Sequence, residues 1–500
     1  MPRRPDGGTR RAGRRAPSGL VITVLALCGT VAALQQTVVI AVLPDLPRLL
    51  DTSVDDASWV ITTTLLAGAV ATPTVSRLAD MYGKRRMVMV CLALMVAGSV
   101  IGGLAASLPQ VLVARALQGV GTALIPVGIA AMRDELPRDR VPVGIALMSA
   151  TLAIGAGAGL PLSGFLVEYL DWHLLFWVPA VLGALVLLAV PLVLSPSTVR
   201  STRRFDLRGA VLLSGVLTAL LLALSKGGHW GWTSAATLGC AATGLALLAV
   251  WLPLQLRTAA PLVDLRVAAR PRVLMVNVAS VFVGFAMFAN MLVTTQLLQL
   301  PESTGVGLGL TTLQAGLVMA PTAVVFGVMA PLAATVIRRT GPGIALLAGC
   351  LWMAAAYAAR TWLYAEVWQV LVGSLLVSVG TSLAYAAMPT LILRSVPVSE
   401  TASANGLNTL LRSVGTSLAS AVTAAVVAAG AVVVGGVAVP DGDALLGVFW
   451  IAAAASLAAA VAALAVVRLR ADDVDEDDDS DEAAAAPAIR PVPLPAALPR

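Results

Sequence analysis

The sequence predicts an all-α polytopic membrane protein, and two observations carry that expectation. The chain of 500 residues is 58% hydrophobic and only 12% charged, with a mean hydropathy of +0.89, whereas a soluble domain is about 25% charged. Apolar runs of about 20 residues recur along almost its whole length, the length a helix needs to cross the hydrocarbon layer. Inside lipid each run must satisfy its own backbone polar groups, which makes it a helix.

Taken in order, fourteen spans are expected, at 19–43, 58–78, 87–107, 110–131, 143–166, 174–194, 209–225, 233–254, 273–299, 311–336, 343–360, 367–390, 407–433 and 444–467. The seventh and eighth are the least sharply bounded: one ends at Ser225-Lys226-Gly227-Gly228 and the next begins after Trp232. The basic residues set the orientation. Even-numbered turns carry Lys84-Arg85-Arg86, Arg133/Arg138/Arg140, Arg200/Arg203/Arg204/Arg208, Arg266/Arg270/Arg272, Arg338/Arg339 and Arg394, while odd-numbered turns carry only Arg48, Lys226 and Arg360. The positive-inside rule then places the even turns and both termini in the cytoplasm of a protein of the cell membrane. The same asymmetry accounts for the net charge of +6 without a nucleic-acid partner, for which the chain has no folded basic domain.

Both ends are expected to lie outside the bundle. The N-terminal arginines before an apolar run imitate a signal peptide, but the run to Leu43 is too long for one and no small-residue cleavage site follows. Arg14-Arg15 is read as part of this basic segment and not as a twin-arginine signal. The tail after Arg470 is acidic from Asp472 to Glu482 and then rich in Ala and Pro, a composition expected to stay disordered.

Catalytic and cofactor signatures are missing from the sequence. No phosphate loop is present: Gly83-Lys84 is the only Gly-Lys pair, and Leu78 stands where the loop's first glycine belongs. The two histidines, His173 and His229, lie far apart and outside any metal-ligand spacing. Cys28, Cys91, Cys240 and Cys350 sit in apolar runs as packing residues. Gly155, Gly157 and Gly159 resemble a dinucleotide fingerprint but lack its last glycine; Gly155, Gly159 and Ser163 instead share one helix face, where a second helix can come close. No enzyme, metal or cofactor is expected.

Several segments resemble the major facilitator superfamily. The turn RLADMYGKRR, Arg77 to Arg86, is similar to the superfamily's signature loop at Asp80, Gly83, Lys84 and Arg85, with Arg86 following and Ser76 where a glycine is usual. ARALQGVGTA, Ala114 to Ala123, matches its Arg-x-x-Gln-Gly-x-Gly pattern at Arg115, Gln118, Gly119 and Gly121. IGAGAGLPLSGFL, Ile154 to Leu166, resembles the antiporter motif of its drug exporters. Gly159, Leu162 and Gly164 agree with the motif, Leu160 replaces a proline and Ser163 a glycine, and Gly155 lies in the same segment. Trp172, Phe176 and Pro179 resemble the pattern that follows. Asn408, Arg412 and Gly415 look like the second-half counterpart of the Arg115 segment, and Arg338-Arg339-Thr340-Gly341 like a faded copy of the signature loop.

With fourteen spans, the resemblance is to the fourteen-span drug:proton antiporter family. It implies a major facilitator fold of two six-helix bundles plus two inserted helices. The expected organisation is a basic segment (1–18), an N-terminal bundle (19–194), a linker with two inserted helices (195–254), a C-terminal bundle (255–467) and a tail (468–500). It also implies a monomeric secondary active transporter that exports a drug-like or secondary-metabolite small molecule by rocking its bundles around a midplane site, with proton coupling. Asp80 and Lys84 to Arg86 would form the cytoplasmic latch. A solute importer and a non-transporting sensor on a transporter scaffold stand as alternatives.

One departure from the family pattern bears on mechanism. The family's first span carries an aspartate and an asparagine, where LQQTVVIAVLP (Leu34 to Pro44) has Gln35 and Ile40. No acidic residue falls mid-span; Asp45 and Glu168 lie at span ends. Arg115 is then the one charge deep in a first-half span, at a cost of roughly 2.5–3.5 kcal/mol. Either it is a structural arginine bonded to Gln118, Gln35 or backbone carbonyls, or it is a cavity charge that favours neutral and anionic substrates. Gln35, Gln36, Arg115, Gln118, Asn277 and Asn290 are the candidate substrate and coupling residues. Thr294, Gln296 and Gln314 are further polar groups in apolar spans, and Phe282, Phe285 and Phe288 form a stripe suited to packing or to a substrate wall.

Overall fold

The structure is a computed structural model that describes residues 16–39, 42, 46–197, 204–434 and 437–484. The basic residues up to 15, Ile40, Asp45, Arg200, Arg203 and the end of the chain past Ala484 lie outside the described residues. Fourteen described helices are long and apolar enough to span a membrane. They are α1 (Ser18–Val38), α2 (Trp59–Tyr82), α3 (Lys84–Gly103), α4 (Leu108–Glu135), α5 (Val141–Tyr169), α6 (Leu174–Val193), α7 (Leu207–Trp230), α8 (Ala235–Arg257), α9 (Pro271–Gln299), α10 (Thr312–Thr340), α11 (Pro342–Arg360), α12 (Val367–Ser395), α13 (Thr401–Ala429) and α14 (Gly442–Ala484).

Local chemistry sets the breaks. Gly83 and Gly341, at φ +104° and +85°, turn α2 into α3 and α10 into α11 with a backbone that L side chains rarely adopt. The two turns stand at equivalent places in the two halves, at the signature loop and its faded copy. Asp206 caps α7 through the Gly209 N–H, Ser234 caps α8 through the Thr237 N–H, and Thr311 with Gln314 forms a reciprocal capping box on α10. Gln314 is therefore a helix-start residue whose side chain accepts the Thr311 N–H.

Several expected boundaries move. The first helix is described over Ser18–Val38; its expected end at 43 lies outside the described residues. The seventh runs past Ser225 to Trp230. The thirteenth stops at Ala429, because the valine-rich segment after it forms a hairpin, β1 (Ala431–Val434) against antiparallel β2 (Val437–Pro440). The acidic segment expected to be disordered continues α14 as helix to Ala484; extending an existing helix avoids the cost of nucleating one.

The core is divided in the same way as the helices. Helices α1 to α6 enclose one set of buried apolar residues, among them Leu25, Cys28, Leu92, Met95 and Met132. Helices α9 to α14 enclose another, with Val283, Tyr357, Tyr385 and Phe449. α7 and α8 pack on each other, and α7 also touches α2 and α13, one helix from each half. The halves meet along α5 with α10 and α12, α2 with α13, and α4 with α13.

Candidate functional site

Two buried arginines organise the polar interior. Arg115 comes from the first turns of α4 and is 1% exposed. Its Nη1 donates to the Gln35 carbonyl and to Gln118 Oε1, each at 2.8 Å. Gln35 Nε2 returns a bond to the Gln118 carbonyl at 2.8 Å, and Gln118 Nε2 donates to Ser99 Oγ at 2.9 Å. Close helix approach makes this possible. A Cβ at Gly121 would stand 2.8 Å from Gln35 Nε2, one at Gly98 would stand 2.6 Å from the Ala114 carbonyl, and one at Gly119 would stand 2.7 Å from the Thr64 carbonyl. A 3-10 turn, Val120–Ala123, follows directly. Gln36, one residue from Gln35, is only half-buried and stays outside the network.

The second arginine is Arg360, at the end of α11. The sequence places it in an outer turn; the structure buries it completely. Its Nη1 donates to Asn290 Oδ1 and, at 2.8 Å, to Thr294 Oγ1. Asn290 and Thr294 lie one turn apart on α9, which is why one guanidinium reaches both. The guanidinium stacks 4.2 Å from the Phe449 ring centroid, and its Nε and Nη2 have no partner among protein atoms. Asn290 Nδ2 donates to Ser374 Oγ at 3.0 Å, so both ends of the amide are fixed.

Asn290 and Ser374 also line a cavity of about 60 Å³ between α5, α9, α10 and α12, with Gly157, Met291, Thr322 and Phe326. It has room for a few waters, whereas a drug-sized ligand needs roughly 300–1,000 Å³. The halves must part before such a ligand can enter. Phe285 is buried in the C-terminal core, with Phe282 and Phe288 packed against that core, and none of the three lines this cavity.

Asn277 lies 13 residues before Asn290 on α9, about 20 Å along the helix, so the structure does not bring the two together. Asn277 Oδ1 accepts from Asn408 Nδ2 at 3.1 Å. It shares a separate pocket with Arg77 and the segment Pro261–Ala268. Arg77 is 3% exposed, and its Nε and Nη2 lack partners. Arg412 on α13 is buried 4.6 Å from the Tyr385 ring centroid.

At one end of the molecule the signature loop joins the two halves. Asp80 is fully buried. Its carboxylate accepts the Ala402 N–H (3.1 Å), the Ser403 N–H (2.8 Å) and the Ser403 hydroxyl (2.6 Å). These amides belong to the first turn of α13, whose N–H groups have no partner within the helix, and a carboxylate there also complements the helix dipole. Lys84 pairs with Asp134 at 2.8 Å, Arg85 donates to the Pro191 carbonyl at 3.1 Å, and Arg86 is exposed. Ser76, the replacement for a usual glycine, faces Gly406 of α13, where a Cβ would fall 2.5 Å from its hydroxyl. Gly406 thus leaves the room that Ser76 occupies.

α5 is held between two neighbours. A Cβ at Gly155 or Gly159 would collide with Ala33 or Thr37 of α1, and one at Gly157 with Ala323 of α10, while one at Gly164 would be tight against Leu313. Leu162 is half-buried on the same helix.

This architecture has relatives. The family model described as Major Facilitator Superfamily matches residues 25–420 and 308–497. The chain belongs to the major facilitator superfamily. It has two six-helix bundles and two inserted helices, and it is a multi-pass membrane transporter of small molecules and not an enzyme. It is 31% identical over 402 residues to the multidrug resistance protein Stp of Mycobacterium tuberculosis (strain CDC 1551 / Oshkosh), covering 79% of this chain and 73% of that one. It is 29% identical over 429 residues to the tetracenomycin C resistance and export protein of Streptomyces glaucescens, covering 84% and 76%. The crystal structure of the human organic anion transporter MFSD10 (TETRAN) superposes with a TM-score of 0.65 at 15% identity, over 90% of this chain and all of that one, a likeness of fold.

Within this superfamily scaffold, sequence reasoning missed Arg360 and the burial of Lys226 and Arg77. Lys226 sits 4.5 Å from the Trp59 ring centroid and donates to Ser58. The polar pair Asn290 and Thr294 on one face of an apolar helix was the available signal that a buried donor had to lie opposite. Glu168 is exposed. Among the described residues, no group of three or more His, Cys, Asp or Glu could hold a metal.

Proposed function

We propose that this transporter exports drug-like or secondary-metabolite molecules, neutral or anionic, by alternating access through the cavity at Asn290, driven by an ion gradient. The observation that carries the reading is the charge of the interior. Arg360 is buried and bonds Asn290 on the cavity wall, and the buried carboxylate Asp80 sits at the latch, bonded to the first turn of α13. A desolvated cation would meet like charge with little screening. The names of the relatives, a multidrug resistance protein and a resistance and export protein, support export.

In this reading Asp80 on α13 is the cytoplasmic latch that holds the inner side shut, Lys84 with Asp134 braces it, and both termini lie in the cytoplasm. α5 is the hinge surface, packed on α1 within its bundle and sliding on α10. Arg115, Gln35 and Gln118 brace the N-terminal wall. Arg360 fixes Asn290 on the cavity wall. A coupled proton would bind at the latch, where Asp80 is buried and Asp134 is partly buried against Lys84. The protein works as a monomer.

The test is accumulation of neutral, anionic and cationic dyes and antibiotics in an efflux-deficient host that expresses the native chain or Asn290→Leu, with and without a protonophore. The expected result is lower accumulation of neutral and anionic compounds with the native chain, abolished by the variant and by the protonophore. Equal handling of a permanent cation and its neutral analogue would reject the charge preference. No effect on any compound would reject export.

A further inference from the structure

We propose that a cleft between the two halves at the latch end binds the headgroup of an anionic phospholipid. The cleft has a volume of about 440 Å³. Three arginines line it: Arg133 at the end of α4, Arg138 in the turn before α5, and Arg394 in the last turn of α12. Among the described residues, no carboxylate lines it. Of the acidic residues near Arg133 and Arg138, Asp134 is turned to Lys84 and Glu135 accepts the Ser195 N–H, while Asp139 is exposed outside the lining.

The rest of the lining is apolar, with Leu136, Ile145 and Leu393 among its walls. The arginines stand where the spanning helices α4 and α12 end and α5 begins, the level at which a span of this length meets lipid headgroups. A free phosphate would satisfy only the rim, whereas a phospholipid uses both parts: phosphate oxygens on the guanidinium groups and glycerol and upper acyl carbons on the walls. Basic pockets between spanning helices at this level are suited to anionic headgroups.

The site also spans the joint. Arg133 and Arg138 belong to the N-terminal bundle and Arg394 to the C-terminal one. Arg133 Nη1 already donates across to the Val396 carbonyl at 3.3 Å, using one of the five guanidinium N–H donors. An anion seated here therefore ties the halves together beside Asp80 and favours the latched form. The inference depends neither on the transported substrate nor on which leaflet holds this end.

The experiment measures thermal unfolding of the purified full chain in lipid nanodiscs, with native mass spectrometry to count bound lipid. Phosphatidylglycerol is compared with phosphatidylcholine, and glycerol phosphate is added separately in the phosphatidylcholine discs. The R138Q/R394Q double variant is set beside R338Q/R339Q, which removes equal charge at the same end away from the cleft. The expected result is a rise of several degrees in phosphatidylglycerol with a retained lipid adduct, both lost in R138Q/R394Q and kept in R338Q/R339Q. Matching midpoints for both variants in phosphatidylcholine show that each folds. Equal midpoints for the native chain in the two lipids, or equal losses in both variants, would overturn the site. A rise with glycerol phosphate equal to that with phosphatidylglycerol would replace the lipid by a soluble anion.

Discussion

The Arg115 and Arg360 networks solve the same problem in opposite ways. Each holds a guanidinium in the interior with no carboxylate partner among the described residues. In the N-terminal bundle Arg115 donates to the Gln35 carbonyl and to the Gln118 side chain, while the Gln35 side-chain amide donates to the Gln118 carbonyl, and Arg115 lines none of the cavities described above. In the C-terminal bundle Arg360 holds Asn290, which opens onto a cavity shared with α5. The first arrangement closes on itself and braces the fold. The second transmits its position to a surface that a ligand can touch.

Breaking the closed network has the largest expected effect. Arg115→Leu removes two charge-assisted bonds and strands Gln118 Oε1, a loss of about 3–5 kcal/mol, read as a lower unfolding midpoint and less monodisperse protein. The substrate preference of what still folds is expected to stay the same. A variant of native stability with altered charge preference would erase the contrast between the two arginines.

A packing change separates the halves from the bundles. Gly155→Val drives a side chain into α1 within one bundle, and Gly157→Val drives one into Ala323 of the other, each costing roughly 1–3 kcal/mol. The Gly155 variant should lose stability. The Gly157 variant should in addition populate the separated halves, which spectroscopic distances between labels on α5 and α10 would detect.

Arg360→Lys keeps the charge but loses the planar fork that reaches Asn290 and Thr294 together. Transport is expected to fall roughly tenfold, about 1.4 kcal/mol, with a smaller fall in midpoint than Arg115→Leu. The reverse order of stability effects would count against the assignment. The smallest expected effect is that of Ser374→Ala, which releases one end of the Asn290 amide at about 1 kcal/mol. A raised KM with little change in midpoint would mark the cavity wall.

Legibility in the sequence followed chemistry that acts locally. Span number and the Asp80–Arg86 loop were readable because hydropathy, lipid thickness and turn glycines act over a few residues. Gln118 was readable as a partner of Arg115 because the two lie three residues apart on one helix. Arg360 was not, because its partners lie on another helix about 70 residues away, and a residue at the end of an apolar run looks the same whether it faces water or the core. The hairpin after α13 was hidden because valine suits a strand and a membrane helix equally.

The sequence by itself determined that this chain has fourteen spanning helices, since apolar length and backbone satisfaction demand them, and its loop and Arg115 motifs resemble the superfamily to which the chain belongs. Only the tertiary structure decided which charges are interior and what they touch. It put Asp80 on the first turn of α13, Arg360 on Asn290, and three arginines from two halves around one cleft. Those pairings depend on how helices distant in sequence approach, and that approach is set by small residues such as Gly98, Gly157 and Gly406, whose fit against a neighbour exists only once both helices are in place.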